Sequence, residues 1–343
     1  MALAAVRSGT HDGDRAIAVW LLFCCMMIFL MVVIGGVTRL TESGLSITEW
    51  QPIEGALPPL NDAQWNAAFD AYRAIPQYAA IHADMTLDQF KGIYFWEYLH
   101  RLWGRIIGAA FALPFLYFLA RGQVSRALAP KLAGLFVLGG LQGALGWYMV
   151  ESGLETRIEV SQYRLAAHLA MAVVIYLAML WVALDLLRSR SRHGAPGLKR
   201  AAGAVLILVF TTLVAGAFVA GTRAGYLDNT FPLMEGVFVP PDYWHLTPFW
   251  RNWFENLTSV QFDHRVLAET SLVAVTALWL ASFKAPLPAY PRNALHALMA
   301  AAWLQVALGI ATLLSVVYLP VAVSHQAGAL LLLTAALVAL HAL

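Results

Sequence analysis

Charge is what this sequence has least of. Only 12% of its 343 residues are Asp, Glu, Lys or Arg, against 60% hydrophobic, and the mean hydropathy is +0.66. A soluble domain needs more polar surface than that to cover its core, so a soluble globular chain is excluded and the composition points to the bilayer. Cysteine is nearly absent: Cys24 and Cys25 are the only two. They are adjacent in one apolar run, cannot staple separate loops, and imply no disulfide framework. The formal net charge is only +2, which leaves no basic surface for nucleic acid. No low-complexity segment or separate soluble domain interrupts the chain. The first apolar run, 16–38, is too long for a signal core and is followed by no small-residue cleavage site before Arg39, so it reads as a retained helix.

What the sequence has instead is long apolar runs. About 20 mostly apolar residues carry a helix across a hydrocarbon core about 30 Å thick. Eight segments qualify, at 16–38, 100–120, 130–150, 163–187, 199–221, 265–283, 293–315 and 320–342. Basic residues set their direction. With the N-terminus inside, inner segments carry Arg7, Arg15, Arg121, Arg126, Lys131, Arg188, Arg190, Arg192, Lys199, Arg200, Lys284 and Arg292, against Asp12, Asp14 and Asp185. Most other acids fall in two long outer loops, 39–92 and 222–263, and in the connection 151–162. Both termini are therefore expected on the cytoplasmic side. Thr86-Leu87-Asp88-Gln89 fits a capping box, so the second helix is expected to start outside the membrane. Trp96, Trp103, Trp147, Tyr148, Trp244, Trp250 and Trp253 would form an outer aromatic belt.

The chain also repeats itself. Gly36-Val37-Thr38-Arg39 pairs with Gly221-Thr222-Arg223, His100-Arg101 with His264-Arg265, and His168 with His325. Leu141-Gln142-Gly143-Ala144-Leu145-Gly146 pairs with Leu304-Gln305-Val306-Ala307-Leu308-Gly309. Landmarks in one order indicate duplication of a four-helix unit. The expected fold is an all-α integral membrane protein of eight transmembrane helices, as two parallel-repeat four-helix bundles over 1–190 and 191–343, related by an axis along the membrane normal.

An ionisable side chain inside a span is costly, and so a functional candidate. Of ten histidines, His11, His82, His193 and His245 fall in tails or loops, and His296 and His341 at inner helix ends. His100, His168, His264 and His325 each fall near the outer end of an even-numbered helix, each with a counterpart in the other half. One such histidine reads most simply as a buried ring bonded to a neighbouring helix. Four at matched repeat positions read as ligands. Imidazole is a usual axial ligand of heme iron, and a four-helix bundle can bring two rings onto a flat cofactor. The natural pairs are His100 with His168 and His264 with His325. Zinc or copper is a weaker alternative, because no thiolates or tightly spaced ligands close such a site. Heme propionates need donors: Arg101, Arg105, Arg164 and Arg265 lie on or beside the histidine helices, and Arg39 and Arg223 in matching loop positions. Each could instead anchor a helix end by snorkelling.

The halves differ three residues before the first histidine of each, where Glu97 faces a counterpart Gln261. At i,i+3 Glu97 shares a helix face with His100, and a carboxylate can take or give a proton where an amide cannot. This inequality suggests chemistry in the N-terminal half and electron transfer in the C-terminal half. The alternative is a structural Glu97–Arg101 pair at i,i+4. Glu269 has no obvious partner, and its role stays open.

The run Gly35-Gly36-Val37-Thr38-Arg39-Leu40-Thr41-Glu42-Ser43-Gly44-Leu45-Ser46, followed by Trp50-Gln51-Pro52, closely resembles the first outer loop of heme A synthases. Phe95-Trp96-Glu97-Tyr98-Leu99-His100-Arg101-Leu102-Trp103-Gly104-Arg105 resembles that family's second-helix signature. The resemblance covers nearly the whole chain and corresponds to the family's cysteine-free branch. It implies oxidation of the C8 methyl of heme O to a formyl group, by successive hydroxylations, giving heme A for cytochrome oxidase assembly. It further implies that His100 and His168 frame the substrate heme with Glu97 beside it, and that His264 and His325 ligate a resident heme B. Implied partners are heme O, heme O synthase, oxidase assembly factors, the lipid bilayer of the bacterial inner membrane, and a second copy of the chain.

Two rivals stand beside it. A dihaem b-type cytochrome carrying electrons from quinol would place hemes near opposite faces, whereas these histidines share one side. A transporter with parallel repeats would concentrate polar groups at the midplane, whereas here they gather at the outer edge.

Overall fold

The apolar runs become helices because lipid offers no partner for a bare backbone amide. The computed structural model describes residues 12–51, 54–154, 157–188 and 195–343. Among these, eight helices are long and apolar enough to cross a membrane. They are α1 (Asp12–Leu40), α2 (Leu87–Ala120), α3 (Ala129–Glu151), α4 (Gln162–Leu187), α5 (Pro196–Thr222), α6 (Leu257–Ser282), α7 (Ala289–Leu314) and α8 (Leu319–Ala342). No sheet forms among the described residues; an isolated bridge joins Met234 and Val237. The chain is an all-α, membrane-spanning protein. Arg7, His11, Pro52, Arg190, Arg192, His193 and the expected boundary between 190 and 191 lie outside the described residues.

Helices α2 and α6 start well before their apolar runs. At α2 the expected capping box is present: Gln89 N donates to Thr86 Oγ1 at 3.4 Å, and Thr86 N donates to Gln89 Oε1 at 2.8 Å. At α6 the Asn256 side chain accepts from Thr258 N at 3.0 Å. His100 and His264 therefore lie inside helices and not at their openings.

Within the first four helices, α1 packs on α2 and α4, and α3 packs on α4 and more sparsely on α2. Within the last four, α5 packs on α6 and α8, and α7 on the same two. The histidine-bearing helices, α2 with α4 and α6 with α8, are thus diagonal partners. Between the sets, α1 meets α8, and α4 meets α5 and α8. Gln326 Nε2 donates to the Val32 carbonyl at 2.8 Å across that seam, its carboxamide lying where a side chain at Gly36 would be.

One apolar cluster runs through all eight helices, through residues such as Leu21, Phe111, Leu132, Val173, Val205, Val275, Leu298 and Leu333. Its members on α2 and α4 lie beyond His100 and His168, toward the end away from the long loops. A second, aromatic cluster of Phe69, Tyr72, Phe90 and Tyr94 forms where two short helices, Asp62–Arg73 and Pro76–Ile81, fold over the extension of α2. Along α2 and α4 the histidines fall between these two clusters. Trp103 departs from the expected belt: its indole N–H donates to the Met27 carbonyl at 2.9 Å, pinning α2 to α1, because an indole donor in a bundle seeks an acceptor.

Candidate functional site

Each of the four histidines rests on a glycine of the preceding helix. The pairs are Gly35 with His100, Gly146 with His168, Gly216 with His264, and Gly309 with His325. A Cβ on these glycines would stand 2.9, 2.9, 3.0 and 3.0 Å from the ring's Cε1. Without a Cβ, backbone and ring close to contact, the device that brings helices together in lipid. One turn earlier on three of those helices stands the group that meets the ring's Nδ1. Gln142 Nε2 lies 3.1 Å from His168 Nδ1, and Gln305 Nε2 lies 3.1 Å from His325 Nδ1. His264 Nδ1 donates to the Thr212 carbonyl at 3.1 Å. A carbonyl only accepts, so that bond holds the His264 proton on Nδ1 and leaves the Nε2 lone pair free for a ligand.

The rings of His264 and His325 face each other with centroids 6.4 Å apart and planes at 83°. Two metal–imidazole bonds of about 2 Å, with about 1 Å from each nitrogen to its ring centre, give roughly 6 Å, the room one iron needs between two rings. His100 and His168 lie within electrostatic reach of each other. Among the described residues no group of three or more His, Cys, Asp or Glu converges as it would on a bare metal ion. The facing His264–His325 pair is a donor set that fits heme.

Glu97 is 3% exposed and its carboxylate is fully engaged. It accepts from Ser46 Oγ at 2.8 Å, Ile47 N at 2.8 Å and Arg101 Nη2 at 2.7 Å. Arg101 also donates to the carbonyls of Ile47 and Glu49, at 2.7 and 3.0 Å. The second half repeats this clamp with other chemistry. Gln261 Nε2 donates to the Asp228 carbonyl at 2.8 Å, and Arg265 donates to the carbonyls of Asp228 and Thr230 at 2.9 and 2.8 Å. The acid near Arg265 is Asp228 Oδ2, at 3.7 Å, on the loop and not on the helix. Glu269 is exposed, one turn beyond Arg265.

The remaining arginines fall into two groups. Arg105 donates to the Gln51 carbonyl at 3.0 Å, and Arg164 donates to the Tyr148 carbonyl at 2.5 Å while stacking 3.6 Å from the Tyr148 ring centre. Arg39 and Arg223, the matched pair of the repeat, converge on one carboxylate, Glu159: Arg39 at 2.7 Å and Arg223 through its Nε. Arg223 also pairs with Glu42 at 2.6 Å, and Arg39 donates to the Ala220 carbonyl at 3.0 Å. Glu42 and Arg223 both have left-handed backbones, φ 56° and 60°, a conformation costing about 1–3 kcal/mol. His82 completes the network, 3.7 Å from Glu42 and 2.6 Å from the Tyr72 hydroxyl; burial holds its pKa below the usual value, with Glu42 opposing.

The model of the COX15-CtaA family, cytochrome oxidase assembly proteins, matches residues 18–337. The chain belongs to this family. Heme A synthases of several bacteria match it along most of their length. The heme A synthase of Rhodospirillum centenum is 55% identical over 322 residues, 93% of this chain and 86% of the relative. That of Nitrosospira multiformis is 52% identical over 334 residues, 96% and 94% of the two chains. That of Parvibaculum lavamentivorans is 49% identical over 340 residues, 97% and 96%. The glycine seats, Gln142, Gln305, Ser46 and Glu159 are members of the site that sequence reading did not single out. A signal existed for some of them, since Gln142 with Gly146 and Gln305 with Gly309 are the ends of the repeated Leu-Gln-x-Ala-Leu-Gly motif.

Proposed function

We propose that this chain is a heme A synthase, oxidising the C8 methyl group of heme O to a formyl group by successive hydroxylations, for cytochrome oxidase assembly. The observation that carries the reading is identity of about half or more, over nearly the full length, to proteins that are themselves heme A synthases. The paired, glycine-seated histidines give that activity a place in this chain.

In this reading residues 1–190 and 191–343 form two parallel-repeat four-helix bundles, a division supported by the diagonal placement of α2 with α4 and of α6 with α8. His264 and His325 are the iron ligands of a resident heme B, and His100 and His168 frame the substrate heme O. Bound heme B supplies reversible one-electron chemistry; the protein supplies position and protons. Glu97, one turn before His100, is the proton-transferring group, and the Ser46 hydroxyl and Arg101 aim its carboxylate. Arg101, Arg105 and Arg164 in the first half and Arg265 in the second, on the histidine-bearing helices, are the propionate donors, joined by Arg39 and Arg223 of the Glu159 network. Membership of an oxidase assembly family supports contact with heme O synthase and assembly factors, and a second copy of the chain stays among the proposed partners. The basic residues of the short connections support a topology with both termini in the cytoplasm and the histidines near the periplasmic face of the inner membrane.

Expression in a host that makes heme O but lacks its own synthase tests the activity. Mass analysis of extracted heme should show heme A. Full heme loading with no heme A would overturn the enzyme reading in favour of an electron-transfer cytochrome.

A further inference from the structure

Helix α1 ends on a turn where glycine is usual and glutamate stands. The Ser43 N–H donates to the Thr38 carbonyl at 3.0 Å and the Glu42 N–H to the Arg39 carbonyl at 3.2 Å, while Glu42 itself is left-handed, φ 56°. Two such bonds around a left-handed residue make a Schellman ending, whose left-handed position favours glycine because it has no Cβ. Helix α5 also ends on a left-handed residue: Arg223, φ 60°, donates its N–H to the Val219 carbonyl. The side chains at these two helix ends pair across the seam between the halves, at 2.6 Å.

The crossing is reciprocal but unequal. Arg39, the counterpart of Arg223, reaches the other way and donates to the Ala220 carbonyl near the end of α5 at 3.0 Å. Arg223 instead meets a carboxylate four residues before Ser46. Ser43 and Ser46 are 0% and 1% exposed, and the Ser46 N–H donates to the Ser43 carbonyl at 3.2 Å, so the segment between them is one buried turn. Leu45 seats that turn on the aromatic cluster of the first half. Its far end supplies two donors to Glu97 Oε2, Ser46 Oγ and Ile47 N, each at 2.8 Å. Residues 43–47 are thus strung between Glu42, tied to the second half, and Glu97 on the helix of His100.

We propose that Glu42 and Arg223 are positioning residues for Glu97: through this ion pair the second half sets the turn that aims the acid of the first. The inference rests on the reading of Glu97 as the proton-transferring group. A group that moves a proton works only within hydrogen-bond reach of its target, and a shift of about 1 Å can lower the rate roughly a hundredfold. When the tether is cut, Ser46 and Ile47 move with the turn and release Oε2, while Arg101 still holds Oε1 at 2.7 Å. Arg223, carried by the second half, therefore serves the acid of the first.

Glu42→Gly tests this, because glycine keeps the left-handed turn and removes only the carboxylate. In the host that makes heme O, the variant should lower heme A per resident heme roughly tenfold to a hundredfold, with resident heme content unchanged. Arg223→Ala should lower it at least as much, and Glu42→Gly added to Arg223→Ala should lower it no further. In a Glu97→Gln background, Glu42→Gly should leave the residual heme A unchanged, since a residue acting through Glu97 then has nothing to act on. A tether that only stabilises the fold would lower heme A by the same factor in both backgrounds, and that result would overturn the proposal. Undiminished heme A in Glu42→Gly would overturn it too. Hydrogen–deuterium exchange gives a readout independent of turnover: the amides of 43–49 should exchange roughly tenfold faster in Glu42→Gly and in Arg223→Ala. Unaltered exchange in both variants would also overturn the proposal. Failure of the underlying reading looks different: Glu97→Gln by itself would then leave heme A production undiminished.

Discussion

The two halves hold their outer loops with the same pair of helix positions but opposite hydrogen-bond polarity. In the first half Glu97 accepts from the backbone N–H of Ile47; in the second Gln261 donates to the backbone carbonyl of Asp228. Arg101 and Arg265 do the same work in both, each donating to two loop carbonyls. The acid has moved from helix to loop: Glu97 lies beside Arg101, while Asp228 lies beside Arg265. The comparison teaches that the clamp does not require a carboxylate on the helix, because an amide with a loop acid builds it too. A buried carboxylate one turn from His100 is therefore a choice that architecture leaves open. Proton chemistry at the substrate is the use we propose for it.

The largest test of that inequality is His264→Ala. It should strip the resident heme from the purified protein, measured as heme per polypeptide. If heme content held and only turnover fell, the roles of the two halves would be reversed.

Next comes Glu97→Gln, which gives the first half the residue of the second. Heme binding should persist while heme A production falls about 10²–10⁴-fold, the range for loss of a positioned acid or base. Undiminished production would remove Glu97 from the chemistry. Gln261→Glu should not confer a second active site.

The glycine seats offer a subtler contrast. Alanine at either position puts a methyl within about 3 Å of a ring, an overpacking worth about 1–3 kcal/mol. Gly309→Ala should weaken retention of the resident heme, whereas Gly146→Ala should raise KM for heme O and leave resident heme intact. Identical effects from both substitutions would show that the seats do not belong to separate sites.

The smallest effect concerns the outer cap of the first half, where the short helices Asp62–Arg73 and Pro76–Ile81 fold over α2. Burial lowers the pKa of His82 below the ordinary value of 6.5. As pH falls, the unfolded chain takes up this proton first. The contribution to stability is thus complete above the unfolded value and is lost as pH drops below it. Thermal unfolding in detergent should occur at a modestly lower temperature near pH 5 than near pH 7.5, and His82→Asn should flatten that part of the profile. An unchanged slope in the variant would assign the pH dependence to other groups.

Much of the architecture was legible without coordinates. Hydropathy marks a span because each helical residue must satisfy itself within lipid, and so eight runs gave eight helices. Their ends were less legible. Helices α2 and α6 continue past the apolar window on polar caps, Thr86 and Asn256, and only the first of these was foreseen. The arginines were the least legible. Placed by sequence at the right edge, all six are engaged with backbone carbonyls, an aromatic ring or carboxylates, and of these partners the sequence pointed to Glu97 alone, one turn before Arg101. The repeated Leu-Gln-x-Ala-Leu-Gly motif was visible as a repeat, yet its Gln and Gly acquire meaning only when a histidine from the next helix lies against them.

By itself, then, the sequence determined the eight spans, and it displayed the repeated motifs, the four histidines they pair and the contrast of Glu97 with Gln261. These are properties of composition and spacing along one helix or between copies. Tertiary structure alone decided that the histidine helices stand diagonally, that each ring has a glycine seat, and that Arg39 and Arg223 meet on Glu159. It also left His100 Nδ1 buried without a hydrogen-bond partner among the described residues. Each of these depends on which helix lies beside which, and helix neighbours are set by packing between segments distant in the chain, a matter on which local pattern is silent.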